Sequence, residues 1–435
     1  MSKRQREEIT LEHIKNEVLD AKNHNRDFSF SVSQKSELVS KYGVEKVYET
    51  LIQSIRDTNT HIIDKLSLDV SEPKLLGLIE RVIKESNKDH PDDTEWGYKE
   101  GSDIVQHKST LLSVSSSGSM LSTLLNGYYR YTQRMVKGAR TPEENWNDDK
   151  MLQKSIVYNC SNEIKAKTEA LSRNRLRVFC MQGNGCHYGT AFPVSVVSWI
   201  LKREARRKPN KKLLRIIDPC AGWGDRLAGS LIVGKNVVEH YYGIDPWFIS
   251  NESCRNIYNV LSGIPSLNIG TATISQKGAQ DESEPWPEAD LVLICPPYAE
   301  LECYNVDSTD VNDKQAWRLC QQSEEGKDKF MTDFIVPMLR NALKAITSRN
   351  GRIIVNIANT SKKGKGEYLT RNVLKAADEL GLKCVETFGM RLSVRAPKTT
   401  YEHGADILRG EPFFVFERVS EGAPKNTVKE KIKVI

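Results

Sequence analysis

Apolar residues fall into two textures along this 435-residue chain. Up to about residue 150 they recur three and four positions apart. In SEPKLLGLIERVIKES, Leu75, Leu76, Ile79, Val82 and Ile83 share one helix face, Ser71 is placed to cap it, and Glu72 and Pro73 suit its first turn. VEKVYETLIQSI (Val44–Ile55) repeats the spacing. The polar stretches NKDHPDDTEWGYKEG (Asn87–Gly101) and GARTPEENWNDDK (Gly138–Lys150) read as loops. From about Arg175 short apolar runs alternate with helical stretches. LLRIID ending at Asp218, HYYGID at Asp245, SLNIG at Gly270, DLVLIC at Cys295, GRIIVNIA at Ala358, KCVETFGM at Met390 and PFFVFERV at Val419 predict seven strands. Helices are expected between them, at Phe330–Ile346 and Leu369–Leu380 among others. This alternation predicts an α/β, Rossmann-like, seven-stranded sheet with helices on both faces. The last two strands, with no long helix between them, predict a closing hairpin.

The textures divide the chain into four segments: a mainly helical region over 1–150, a helical lead-in over 151–210, the sheet domain over 211–420 and a polar tail over 421–435. A composition of 39% hydrophobic and 28% charged residues with net charge +6 is that of an ordinary soluble protein. No run approaches the length of a membrane span, and MSKRQREEIT has no apolar signal core. The expectation is an intracellular protein of cytoplasm or nucleus, a viral host cell included, neither secreted nor in a membrane. The nine cysteines are scattered, which predicts thiols, and the C-x5-C-H spacing of Cys180, Cys186 and His187 matches no usual zinc site. No metal is expected. Positive charge gathers in KREARRKPNKK, where Lys202, Arg203, Arg206, Arg207, Lys208, Lys211 and Lys212 face a single acid, Glu204. That run suits phosphate contact or a nuclear address, and equally a solvated helix end. Tyr128, Tyr129, Arg130, Tyr131 and Arg134 add an aromatic-basic cluster, so residues 1–150 are the candidate for substrate recognition.

Two stretches carry chemistry. LLRIID runs directly into DPCAGWGDRLAGS (Asp218–Ser230), a strand, a tight glycine turn and a helix, which is how doubly wound sheets bring backbone close to a ligand. Asp245 ends the next strand, where a carboxylate is placed to accept both ribose hydroxyls of a nucleoside. The fourth strand stops at Cys295-Pro296-Pro297-Tyr298. Two prolines hold the backbone extended and leave carbonyls free to accept, and Tyr298 offers a face on which a base stacks. Such a wall suits an exocyclic amine held toward an electrophile.

DPCAGWGDRLAG and ICPPY, in that order and about 75 residues apart, resemble motifs I and IV of the S-adenosylmethionine-dependent amino methyltransferases. These act on adenine N6 or cytosine N4, chiefly in DNA. The wider layout, PPYAELECY through FIVPMLRNALKAI and GRIIVNIAN to EPFFVFERV, is similar to the phage and large-virus methylase-like proteins of that group. The resemblance covers Cys180 to Val419 and leaves residues 1–150 untouched. It implies a class I methyltransferase fold, S-adenosyl-L-methionine as cofactor, and a nucleic-acid partner, DNA before RNA. By that resemblance Asp218, Pro219, Ala221, Gly222 and Gly224 line the methionine side of the cofactor, Asp245 takes the ribose, Thr271 and Ala272 border the adenine, and Phe192 with Pro193 packs over the methionine end. Cys295, Pro296, Pro297 and Tyr298 form the amine-binding wall. Cys295 departs from the pattern, since the family carries Asp, Asn or Ser there and a thiol accepts weakly. An altered but working site, a covalent cysteine and a binding relic without chemistry all stay open, as do RNA and a protein glutamine as substrates.

Overall fold

Alternate residues of the central strands face opposite ways, and that alternation builds two cores. In the computed structural model Ile216, Leu291, Leu293 and Ile354 enter one apolar cluster, while Ile217, Val292, Ile294, Ile353 and Val355 enter another. The structure describes residues 9–24, 26–63, 72–100, 103–114, 116–134, 138–162, 164–182, 186–208, 213–297, 330–346, 350–359, 361–362, 365–366, 369–391 and 408–419. The chain divides into two units, Met1–Lys65 with Gly127–Thr190, and Leu66–Asn126 with Ala191–Ile435.

The first unit is helical. With labels in chain order it holds α1 (Leu11–Asn23), β1 (Ser29–Phe30), α2 (Val32–Asp57), α5 (Pro142–Trp146), α6 (Asp149–Ser161), α7 (Lys165–Thr168), β5 (Leu171–Ser172) and α8 (Arg173–Gln182). Ser31 and Gln34 form a capping box on α2, and Val47, Leu51 and Ile55 are buried at the expected helical spacing. They pack with Phe28, Trp146, Leu152 and Leu176. Lys35 is buried, and its ammonium donates to the carbonyls of Asn159, Lys165 and Glu169, where α6 and α7 end.

The second unit holds α3 (Glu72–Glu85), β2 (Glu95–Glu100), β3 (Asp103–Lys108), β4 (Leu111–Leu112) and α4 (Ser116–Thr132, the first unit taking it over at Gly127). It continues with α9 (Val194–Arg207), β6 (Leu214–Asp218), α10 (Asp225–Ile232), β7 (Val238–Ile244), α11 (Phe248–Ser262), β8 (Thr271–Ser275) and β9 (Leu291–Ile294). A π-helical turn (Met331–Ile335) then runs into α12 (Val336–Ala345). After it come β10 (Arg352–Asn356), the short antiparallel pair β11 (Ser361–Lys362) and β12 (Lys365–Gly366), α13 (Leu369–Glu379), β13 (Leu382–Arg391) and β14 (Leu408–Arg418).

The large sheet runs β3-β2-β14-β10-β9-β6-β7-β8, with β13 on β14 and β4 on β13. From β8 to β10 neighbours are parallel; β14 enters antiparallel to β10 and pairs along its length with β13. Residues of α9, α10 and α11 fill one core, residues of α12 and α13 the other. This is the α/β Rossmann-like fold expected, helices on both faces and a closing hairpin included.

Four readings need correcting, the first being that Gly138–Lys150, expected to be a loop, holds α5 and opens α6. The stretch expected to be a loop, Asn87–Gly101, contains β2, whose Trp96 and Tyr98 turn inward and stack on His107 of β3. Residues 1–150 are therefore not one helical region: residues 72–126 contribute strands to the large sheet and are counted with its unit. The third strand starts at Thr271 rather than ending at Gly270. A Cβ on Gly270 would lie 2.5 Å from the carbonyl oxygen of Val238, so this glycine marks the close approach at which β8 meets β7.

Candidate active site

The crevice of a doubly wound sheet opens where strand order reverses, at the carboxyl ends of the strands. Here that place lies between β6 and β9, parallel neighbours in the register Ile216–Leu291 and Ile217–Val292. The glycine turn leaves β6 and the Cys295-Pro296-Pro297 segment leaves β9 at the same edge. On the other side of β6, β7 ends beside Asp245.

Asp218 braces the glycine turn from beneath. It is fully buried, and its Oδ2 accepts from Arg226 Nε at 2.8 Å and from the Tyr241 hydroxyl at 2.7 Å, while Oδ1 faces the Cys220 amide at 3.3 Å. Arg226 also donates to the Cys220 carbonyl. The paired carboxylate raises the guanidinium's pKa despite its burial, and burial raises the Tyr241 phenol. Pro219, Ala221 and Gly224 are buried with it, and Gly222 keeps some exposure. Gly222 and Gly224 both take positive φ, 53° and 89°. At Gly222 the nearest atom to an added Cβ is 3.7 Å away, so the turn's outer side is open; at Gly224 a Cβ would lie 2.7 Å from Ile257 Cδ1. Helix α11 fastens the turn, Ser253 Oγ donating to the Trp223 carbonyl and the Cys254 thiol pointing at that of Gly222.

Asp245 ties the turn to β7. Oδ2 accepts from the Gly222 amide at 2.9 Å and Oδ1 from the Trp247 amide at 3.0 Å. Protein atoms crowd the carboxyl although the residue keeps some solvent exposure, and burial raises its pKa to about 6 against the pull of those two amides. A carboxylate has about four acceptor positions, so each oxygen retains capacity for a further donor.

Phe192 reaches the same loop from the other direction. Its amide donates to Asp225 Oδ2 at 2.9 Å, and the Arg226 guanidinium lies 5.3 Å from its ring centre. The other oxygen of Asp225 accepts from Ser122 Oγ at 2.5 Å and Asn126 Nδ2 at 2.7 Å, one turn apart on α4. Asp225, Ser122 and Asn126 thus anchor the segment carrying Phe192, a role no motif announced.

At the end of β9, Cys295 and Pro297 are partly exposed and Pro296 is buried. Tyr298 lies outside the described residues. Because Ile294 pairs with Val355, Asn356 stands beside Cys295, and the thiol lies 3.6 Å from Asn356 Oδ1. The Asn356 amide nitrogen donates to the Pro412 carbonyl at 3.0 Å, which turns its oxygen toward Cys295. Asn356 was legible only as the end of GRIIVNIA; its role needed the register of β9 and β10.

Thr271 does not join this group. It opens β8 at the opposite edge, bonded to His240 Nδ1 and the Glu239 carbonyl, so the residues continuing past Asp245's neighbour in the sheet are Ser275 and Gln276. The basic run is largely engaged within its own unit: Lys202 with Ser86 and Asn87, Arg203 with Glu386, Arg207 with Glu204 and Glu417, Lys208 with Asp290. Lys211 and Lys212 lie outside the described residues, as do parts of the Thr360–Tyr368 loop. Among the described residues no three His, Cys, Asp or Glu side chains lie together as a metal site, and no helix is long and apolar enough to cross a membrane.

No protein-family model matches the chain, and no curated protein matches it either. Among solved structures, TrmN from Thermus thermophilus is 16% identical with a TM-score of 0.32, over 53% of this chain and 50% of that one. NSun6 from Pyrococcus horikoshii, solved with SFG, is 14% identical with a TM-score of 0.33, over 54% and 53%. A putative RNA methyltransferase from Pyrococcus horikoshii is 12% identical with a TM-score of 0.30, over 53% of this chain and 86% of that one. The chain thus spans half the length of the Thermus protein. At these scores fold and chemistry rest on the strand order and side chains described above.

Proposed function

We propose that this chain is an S-adenosylmethionine-dependent methyltransferase acting on the exocyclic amino group of a nucleobase, adenine N6 or cytosine N4, with DNA as the first-choice substrate. One observation carries the reading: the glycine turn with Asp245 and the Cys295-Pro296-Pro297 segment leave neighbouring parallel strands at one sheet edge. The residues suit the cofactor. Gly222 presents an open, side-chain-free surface, and the Asp245 carboxylate, held by two amides, has acceptor capacity for two vicinal hydroxyls. Asp218 and Arg226 act on the turn as braces, since their polar groups are spent on each other and on Cys220. Phe192, fixed through Asp225, would cover the methionine end.

When bound, the cofactor would supply a sulfonium-borne methyl group as an electrophile for the amine nitrogen, whose N–H proton would be lost once the product leaves the site. The protein's task is to align and to exclude water. The Pro296 carbonyl and the residue 295 position would hold the amine hydrogens, keeping the nitrogen lone pair out of conjugation, with Tyr298 stacking on the base. Asn356 offers the oxygen acceptor that Cys295 lacks, oriented by its bond to Pro412. A base in duplex DNA would have to leave the stack to enter. The chemistry suits a protein working inside a cell.

The test is transfer of isotopically labelled methyl from S-adenosylmethionine to DNA, RNA and protein pools, followed by nucleoside and peptide mass spectrometry. N-methylated adenine or cytosine from DNA is the expected product. Label in RNA or on glutamine would move the substrate, and label in no pool would leave a binding protein without the chemistry.

A further inference from the structure

Strand β14 is longer than the parallel strands beside it. Asn356 closes β10 opposite Phe413, and β14 extends beyond that level from Pro412 back to Leu408. The hairpin β2–β3 pairs with this extension, Leu408 with Trp96 and Arg409 with Gly97. A ribbon therefore stands past the sheet edge that carries Cys295 and Asn356. Its two faces differ. Gly410 turns to the buried side, where an added Cβ would lie 2.6 Å from Trp96 Cε3. Arg409 and Glu411, both partly exposed, alternate onto the other side with Phe413, against which Phe192 sits edge-on at 6.2 Å. Paired residues of antiparallel strands share a face, so Arg409 stands on the face of Asn356, four residues and roughly 14 Å beyond it. Among the described residues its guanidinium forms no hydrogen bond or ion pair, and its Nε is buried without an acceptor. Gly97 puts no side chain beside it, and Glu411 has a partner of its own. A guanidinium stays charged at every working pH, and a buried N–H of that kind costs stability until an acceptor arrives.

We propose that Arg409 binds a backbone phosphate of the nucleic-acid substrate, beside the nucleotide whose base enters at Cys295 and Asn356; the identity of that ligand rests on the methyl-transfer reading. A guanidinium fork matches the geometry of phosphate oxygens. The offset from Asn356, shortened by the arginine stem, is of the order that separates the amino edge of a base from the backbone carrying it. The strand would then run along the β14 side, with the cofactor on the far side over β6 and β7. Such a contact sets the position of the strand and carries no sequence information.

The experiment uses the full chain as wild type, Arg409→Gln, Arg409→Lys and Arg81→Gln, the last removing the same charge from an exposed position of α3. Binding of labelled single-stranded oligonucleotides, DNA and RNA in parallel, is followed by fluorescence anisotropy across a salt series. Calorimetry with S-adenosylmethionine and denaturant unfolding are run beside it. Arg409→Gln is expected to bind the oligonucleotide at least fivefold more weakly. Its slope of log affinity against log salt should be shallower by about 0.7, the value of one phosphate contact on a single strand. Arg409→Lys should keep the slope and Arg81→Gln should match wild type, with cofactor affinity and unfolding midpoints unchanged throughout. Where the wild type methylates the oligonucleotide, Arg409→Gln should raise KM for it at least fivefold and leave kcat within twofold. The proposal is overturned if the wild type binds neither oligonucleotide, if Arg409→Gln binds within twofold of wild type with the same slope, or if it unfolds at markedly lower denaturant. The methyl-transfer reading fails separately, by absent cofactor binding, and the oligonucleotide arm then still decides Arg409.

Discussion

The Cys295 thiol lies 3.6 Å from Oδ1 of Asn356, across the ends of two parallel strands. The pair places an oriented oxygen beside a weak acceptor, at the position where an amine would be held. Asn356→Ala should therefore lower kcat for methyl transfer by about 10- to 100-fold, roughly 1.4–2.7 kcal/mol, with little change in cofactor affinity. Cys295→Ser in the same background should restore part of it. Steady-state kinetics decide: an Asn356→Ala enzyme within twofold of wild type would remove Asn356 from the site.

Asp245 makes cofactor affinity sensitive to pH. Its carboxyl is raised to about 6 in the folded protein, so below that pH it binds a proton and loses acceptor capacity for hydroxyl donors. Calorimetric titration should give binding weaker by about tenfold at one pH unit below this value, and a plateau above it. The same group acts on stability in the opposite direction. Its raised pKa disfavours the ionised fold, so its contribution to stability worsens as pH rises from 3.8 to about 6. A pH-independent affinity would separate Asp245 from the ligand.

The two glycines of the turn should fail differently. Gly222→Ala meets only a left-handed backbone angle, about 1–2 kcal/mol. Gly224→Ala adds a 2.7 Å approach to Ile257 and should cost more, in the range of overpacked cores, ~1–3 kcal/mol on top of the angle. Denaturant midpoints rank the pair, and equal losses would contradict the packing described.

His107 supplies an acid-sensitive point on β3. Packed against Trp96 and Tyr98, its imidazole is pushed down to about 4 by burial. Unfolding lets it take a proton at ordinary histidine pKa, so its contribution is complete above pH 6.5 and lost progressively as pH falls from 6.5 to about 4, by up to ~3 kcal/mol. His107→Phe should flatten the acid limb of a stability–pH curve over that interval; an unchanged limb would show that the ring charges without cost.

Much of this was legible in the chain. Six of the seven strands announced themselves as short apolar runs, and the closing hairpin of β13 and β14 because no helical pattern shows between them. Asp218, Gly222, Gly224, Asp245 and Cys295 stood out because glycine, proline and strand-end acids are local signals. Strand β2 was hidden because EWGYKE alternates large aromatics with charges inside a polar context, and its partner on β14 lies about 310 residues away. Thr271 was misplaced because Gly270 resembles a strand end when it is a close-approach residue. Asn356, Asp225, Ser122 and Asn126 act through pairings between distant segments, which one-dimensional spacing does not carry.

The most direct test of the central claim is calorimetry of S-adenosylmethionine binding to the full chain and to its Asp245→Ala variant. One site per chain in the former, abolished or weakened by at least tenfold in the latter, is the predicted result. Absence of binding heat at any accessible concentration, or an affinity indifferent to Asp245, would contradict it.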